Sequence, residues 1–73
     1  MFMSELTIQF GQLVRKHRKE KNMSQEQLAL ICDMDRSYLG RIERGEVNPT
    51  LEKIYELASS LTISVYELLP KSN

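Results

Sequence analysis

The chain has 73 residues, carries 10 acidic and 10 basic side chains, and is 41% hydrophobic. This length supports one small domain over residues 1–73 and leaves too little apolar material for two separate cores. No apolar run is long enough for a membrane span or a secretory signal, and the single cysteine excludes an internal disulfide. We therefore expect a soluble, cytoplasmic protein.

A first helix is predicted from Ser4 or Thr7 to Lys21. Asn22 then follows as a residue that tolerates the left-handed conformation at a helix end. The apolar stripe of this helix has helical spacing and consists of Leu6, Phe10, Leu13, Val14 and His17.

Residues 24–45 read SQEQLALICDMDRSYLGRIERG, which contains two short amphipathic patterns separated by a few residues. Ser24 and Gln27 have the spacing of a capping box at the start of the first pattern, and Asp35 can cap the second. Asp33 stands in the turn where the backbone most needs a left-handed conformation. The pattern predicts a helix-turn-helix, and the side chains predicted to pack across its turn are Leu28, Ala29, Ile31, Leu39 and Ile42.

Gly45 ends this motif, and Asn48-Pro49-Thr50 begins a fourth predicted helix. Its apolar stripe consists of Leu51, Ile54, Tyr55, Leu57, Ala58 and Leu61. Ser64 and Glu67 form another capping box, which starts a short fifth helix that ends at Pro70. The buried side of the fifth helix is predicted to consist of Val65, Leu68 and Leu69. Since no segment alternates like a strand, the prediction is an all-α domain of five helices.

The charges are unevenly distributed along the chain. Residues 15–21, RKHRKEK, hold five basic residues and one acidic residue, and three more arginines lie between residues 36 and 44. Beyond Gly45 there are two lysines and four glutamates. We expect a basic face near the helix-turn-helix, which would orient the molecule on a polyanion.

The chain resembles the Cro/CI-type regulators, known as the XRE family, over nearly its whole length. The resemblance rests on FGQLVRKHRKEKNMSQEQLA, DRSYLGRIERGEVNPTLEKIYELASSL and SVYELL, which have the spacing of the family without a gap. It implies a five-helix, lambda-repressor-like domain with the motif at helices two and three. It also implies a homodimer that binds palindromic operators in double-stranded DNA. The segment DRSYLGRIERG most resembles the controller proteins of restriction-modification systems, and Asp33 departs from the glycine usual in the family.

The second motif helix, Arg36 to Arg44, would lie in the major groove with its N-terminal end closest to the bases. Arg36 and Ser37 then project first, and Arg41 follows one turn later on that face. A guanidinium can donate two hydrogen bonds to the edge of guanine, whereas a serine hydroxyl reads a base less strictly. These three residues are the predicted base contacts.

Phosphate contacts position such a protein without reading sequence. The resemblance adds Gln25, which anchors phosphate in relatives at the start of the first motif helix, where backbone N–H groups also favour anions. Tyr38 is a better phosphate ligand than base reader, and Arg44 and Asn48 are phosphate candidates by position.

Arg18 has a different predicted role from the rest of the basic run. In related proteins an arginine at this position pairs with the glutamate that matches Glu43. We expect the same structural ion pair here, because a buried carboxylate without a partner is costly.

Residues 61–70 are the predicted dimerisation region. Ile63, Val65, Tyr66 and Leu69 offer more apolar surface than so short a helix needs for its own packing. They could alternatively only close the core.

The sequence does not contain the residue patterns that catalysis or metal and cofactor binding require. The sequence offers no nucleophile-base pair and no glycine-rich phosphate loop, and one histidine with one cysteine cannot form a zinc site, so we expect no enzyme, metal, cofactor or small-molecule ligand. An antitoxin-like protein-interaction module remains the alternative. Glu26 could touch RNA polymerase from the first motif helix or be a solvated acid.

Overall fold

The computed structural model describes residues 4–71. They form the helices α1 (Glu5–Glu20), α2 (Gln25–Ile31), α3 (Arg36–Glu43) and α4 (Leu51–Leu61), followed by a 3₁₀ helix (Val65–Leu68). The all-α class is confirmed, and within residues 4–71 there is no strand. No helix in this part of the chain is long and apolar enough to cross a membrane.

The prediction of a fifth α helix is wrong, because the segment after Ser64 makes only a 3₁₀ turn. The amide of Glu67 donates to the carbonyl of Ser64 at 3.0 Å, which is the tighter spacing of that helix type. Pro70 lies too close to allow another turn, since it has no N–H and restricts the residue before it.

The predicted capping boxes define the helix starts. Ser24 Oγ accepts from the amide of Gln27 at 3.0 Å, while Gln27 Oε1 accepts from the amide of Ser24 at 2.8 Å. At the later box, Ser64 Oγ accepts from the amide of Tyr66 at 3.2 Å, while Glu67 Oε2 accepts from the amide of Ser64 at 3.4 Å. Asp35 occupies the N-cap position of α3, but its side chain makes no capping hydrogen bond, so only its position was predicted correctly.

All four α helices end in the same way. A left-handed residue follows each, with φ of 58° at Asn22, 55° at Asp33, 79° at Gly45 and 59° at Thr62. The next amide then reaches back to a carbonyl five residues earlier, which is the Schellman closure. The bonds run from Met23 to Arg18, Met34 to Ala29, Glu46 to Arg41, and Ile63 to Ala58. The left-handed Asp33 is confirmed, whereas Thr62 was not foreseen because a β-branched residue rarely takes this conformation.

One core joins all these elements. Its buried apolar residues are Phe10, Val14, Leu28, Ala29, Cys32, Leu39, Ile42, Leu57, Ala58, Leu61 and Leu68. Five side chains predicted to face it are exposed instead: Leu6, Ile31, Leu51, Tyr55 and Leu69. In α2 the inward face is set by Leu28 and Ala29, and Ile31 lies about 100° from the middle of that face.

The backbones of α1 and α3 come unusually close at Gly11. A Cβ atom at this buried position would clash with the carbonyl oxygen of Ile42 and lie 2.6 Å from that of Glu43. The missing side chain therefore allows α1 to pack directly on the C-terminal end of α3.

Gly11→Ala is expected to destabilise the protein by about 1–3 kcal/mol, because the added methyl forces the two backbones apart. This is opposite to the usual gain when alanine replaces glycine inside a helix. Gly40→Ala is the control, since its Cβ would first meet the flexible end of Arg44 at 3.2 Å. Urea denaturation measures both. A Gly11→Ala variant as stable as the wild type would contradict the close approach.

Candidate nucleic-acid interface

α3, which follows the turn after α2, carries one row of polar side chains that faces outward. Ser37, Arg41 and Arg44 are exposed and lie three to seven residues apart, which places them on one face of the helix. The opposite face is buried through Leu39 and Ile42. The row is therefore held on a helix whose orientation the core fixes.

Arg36 lies at the edge of this row instead of within it. It is the first residue of α3 and is exposed. It is five positions away from Arg41, which corresponds to about 140° around the helix. The expectation that the two arginines share one face is wrong, and Ser37 is the residue one turn before Arg41. Neither arginine belongs to a salt bridge within residues 4–71.

Arg18 and Glu43 form a buried, two-point ion pair between α1 and α3. Arg18 Nε donates to Glu43 Oε2 at 2.7 Å, and the terminal nitrogen Nη2 donates to Oε1 at 3.0 Å. Arg18 Nη1 also donates to the carbonyl of Met23 at 2.8 Å. The pair thus joins α1 to the C-terminal end of α3, and Arg18 also joins both to the loop before α2.

Gln25 joins this pair, which the sequence did not indicate. Its Nε2 donates to Glu43 Oε1 at 2.9 Å, so three donors share one carboxylate. The half-buried amide lies over Gly40, where a Cβ would be 3.7 Å from Gln25 Oε1. Gln25 is thereby held at the N-terminus of α2, next to the exposed row of α3. Only the packing of α2 on α3 reveals this contact.

Arg44 is paired with Glu46 at the surface. Arg44 Nε donates to Glu46 Oε2 at 2.7 Å, and both side chains are substantially exposed. This hydrogen bond holds the pKa of Glu46 below its usual value and raises the pKa of Arg44. Arg44 can therefore contact an anion only if it shares or leaves this carboxylate.

The two other predicted phosphate ligands lie outside the row. Tyr38 is half-buried and lies beside Met34 and Asp35 at the start of α3. Asn48 is exposed in the loop between α3 and α4, near Pro49.

The residues predicted to form a dimer interface divide into two groups. Ile63 and Val65 are half-buried and pack against the core. Tyr66 is 79% exposed and Leu69 is 41% exposed, so these two remain available for a partner.

Residues 4–71 offer few groups for metal binding or nucleophilic chemistry. In residues 4–71 there is no cluster of three side chains that could hold a metal ion. Cys32 Sγ lies 3.0 Å from Ser60 Oγ, and burial raises the pKa of the thiol. A buried thiol with a raised pKa is a poor nucleophile.

Comparisons with known proteins agree with this geometry. Residues 14–68 match the family model HTH_3, described as helix-turn-helix. The chain is 42% identical over 67 residues to "Control protein C.BamHI" of Bacillus amyloliquefaciens, covering 90% of this chain and 83% of that protein.

Two solved structures extend the comparison. The restriction-modification controller protein C.AhdI from Aeromonas hydrophila has a TM-score of 0.84 at 44% identity, covering 86% of this chain and 96% of that one. The biofilm master regulator SinR, solved in complex with DNA, has a TM-score of 0.76 at 35% identity, covering 81% of this chain and 95% of that one.

Proposed function

The chain belongs to the HTH_3 helix-turn-helix family, and we propose that it is a sequence-specific DNA-binding transcriptional regulator that controls a restriction-modification system. The observation that carries this proposal is the exposed row of Ser37, Arg41 and Arg44 on a helix locked to the core. The controller proteins among its relatives support the narrower assignment. Such a regulator acts where bacterial DNA is, in the cytoplasm.

We propose that α3 enters the major groove and that Arg41 makes the main base contact. A bidentate contact from arginine to guanine discriminates by about 1–3 kcal/mol. Ser37 lies one turn nearer the N-terminal end and would touch a neighbouring base. Arg36 would read a base at the edge of the groove or contact the adjacent backbone.

The phosphate contacts would come from both sides of this row. Gln25 lies at the N-terminus of α2, where free backbone N–H groups favour an anion. Tyr38, Arg44 and Asn48 would hold the strand that borders α3. These contacts set position, and the row sets sequence preference.

We further propose that the protein binds as a homodimer through residues 61–70. Two recognition helices about 34 Å apart match successive turns of the major groove, so the operator would be palindromic. The exposed Tyr66 and Leu69 support this location, with Ile63 and Val65 completing the surface. Tyr66→Arg tests this interface. If residues 61–70 hold the dimer together, the mass of the variant in solution should be that of a monomer.

Selection of bound sequences from random DNA tests the function directly. We expect one palindromic site, and we expect Arg41→Ala to relax the preference at one base pair in each half-site by about 1–3 kcal/mol. Gln25→Ala is the matched contrast, because loss of a phosphate ligand should weaken specific and random DNA evenly. Lys71→Ala removes a cation outside the proposed DNA interface. It should change neither the affinity for specific DNA nor the affinity for random DNA.

Two results would contradict the proposal. If Arg41→Ala lowers the affinity for specific and for random DNA equally, Arg41 does not contact a base. A folded wild-type protein that selects no sequence would exclude the regulator itself. A footprint on the DNA upstream of its own coding sequence then tests autoregulation.

A further inference from the structure

A carboxylate buried behind the proposed DNA interface is bonded to a side chain at that interface. The side chain of Glu43 is 2% exposed and lies at the C-terminal end of α3. Its Oε1 accepts from Nη2 of Arg18 at 3.0 Å and from Nε2 of Gln25 at 2.9 Å. Arg18 alone already gives the carboxylate a counter-charge and a hydrogen bond to each oxygen. The bond from Gln25 is therefore not needed to pair the buried charge.

The carboxylate determines which atom of the Gln25 amide it holds. A carboxylate only accepts hydrogen bonds, so it can hold the nitrogen Nε2 and not the oxygen Oε1. Nε2 carries a second hydrogen, which remains free after the bond to Glu43. A phosphate oxygen also only accepts, so this N–H is the group of the Gln25 side chain that a phosphate can bind. Without the bond to Glu43, the amide would be free to rotate and to present Oε1, which repels a phosphate.

The same bond orders a side chain that is otherwise flexible. Gln25 is the first residue of α2 and is half-buried, with its amide at the end of several rotatable bonds. The amide lies over Gly40, which has no side chain to support it, and Glu43 is the polar group that fixes it there. Ordering a flexible side chain on binding lowers affinity, and a side chain that is ordered beforehand avoids this loss. The buried carboxylate would thereby strengthen a contact with DNA that it does not itself make.

We propose that Glu43 is a positioning residue for DNA binding, which holds the Gln25 amide ready to donate to a backbone phosphate. Arg18 contributes by fixing the carboxylate, and through the carbonyl of Met23 it also fixes the loop before α2. The inference rests on the proposed function, since it requires that Gln25 contact DNA. The ion pair then has a role beyond stability, because DNA affinity depends on a residue that DNA does not reach.

Two double variants that differ in one hydrogen-bond acceptor test this role. Arg18→Met with Glu43→Leu removes the charges and the acceptor, whereas Arg18→Met with Glu43→Gln removes the charges and keeps a side-chain carbonyl for Gln25. Both leave the net charge of the protein unchanged, so its overall attraction to DNA is the same. We expect the Glu43→Leu pair to lose about tenfold in affinity for specific and random DNA alike. The Glu43→Gln pair should stay within about twofold of the wild type.

A double-mutant cycle assigns the loss to Gln25. Gln25→Ala should weaken binding about tenfold in the wild type and in the Glu43→Gln pair, and it should add no loss in the Glu43→Leu pair. Lys53→Gln with Glu56→Gln is the matched control, because it removes a surface charge pair of α4 and should leave the affinity unchanged. Equal affinities of the two Glu43 pairs overturn the positioning role, and so does an undiminished effect of Gln25→Ala in the Glu43→Leu pair.

Nuclear magnetic relaxation of the side-chain amides in the free wild-type protein tests the same role without a variant that must fold. We expect the Gln25 amide to approach the order parameter of rigid backbone, about 0.85, whereas the exposed Gln12 on α1 should fall below about 0.6. A Gln25 amide as mobile as that of Gln12 overturns the proposal. So does a Gln25→Ala variant with wild-type affinity, even if the wild type selects an operator. A wild-type protein that binds no DNA instead identifies failure of the proposed function, and this inference falls with it.

Discussion

Glu43→Ala is expected to lower the free energy of unfolding by about 3–5 kcal/mol. The Glu43 carboxylate is 2% exposed and receives hydrogen bonds from Arg18 and Gln25, so its loss leaves a buried guanidinium without a counter-charge. Small domains have total stabilities of about 5–15 kcal/mol, and much of the folded state would be lost near physiological temperature. Urea denaturation followed by circular dichroism measures the change.

Two further variants separate the missing charge from the missing volume. Arg18→Met combined with Glu43→Leu removes both partners and should recover most of the loss, since apolar side chains of similar size often replace a buried ion pair without cost. Glu56→Ala breaks the Lys53–Glu56 pair at the surface and should cost less than about 1 kcal/mol. A Glu43→Ala variant that loses no more than the Glu56→Ala variant would show that the buried pair does not stabilise the fold.

Local sequence signals were sufficient for the helix boundaries. Ser24 with Gln27 specifies where α2 begins, and Asp33 specifies where the turn reverses the chain, because both act through bonds to nearby backbone. The prediction of a fifth α helix failed for a physical reason. A capping box can start a helix, but Pro70 ends it before one α-helical turn is followed by another. The outward Ile31 shows the other limit: a helix of two turns has too few residues for its apolar pattern to fix one face.

The candidate site was predictable in composition and not in arrangement. The arginines of α3 could be placed on the recognition helix, and the four-residue spacing of Ser37 and Arg41 already puts these two on one face of it. The bond from Gln25 to Glu43 joins residues 18 positions apart and depends on how α2 packs on α3. The Arg44–Glu46 pair leaves no periodic signal, because it forms across the end of a helix.

Affinity for the selected operator is expected to fall about 10²-fold when monovalent salt rises from about 50 to 200 mM. Arg36 and Arg44 of each protomer would bring four cations per dimer to the phosphates, and each cation that neutralises a phosphate releases counterions. Fluorescence anisotropy at five or more salt concentrations gives the slope. A slope near zero would contradict phosphate binding and would favour the protein-interaction module instead.

Glu46→Gln gives this salt dependence a sharper test. The wild-type Arg44 already has a carboxylate partner at 2.7 Å, so part of its charge is neutralised before DNA arrives. The variant frees that guanidinium, and we expect tighter binding at low salt together with a steeper slope. Arg44→Ala should do the opposite, reducing the slope by about 1 for each protomer that loses a phosphate contact. If the Glu46→Gln variant and the wild type have the same slope, Arg44 does not contact phosphate, and Arg36 at the start of α3 is the remaining cation that can.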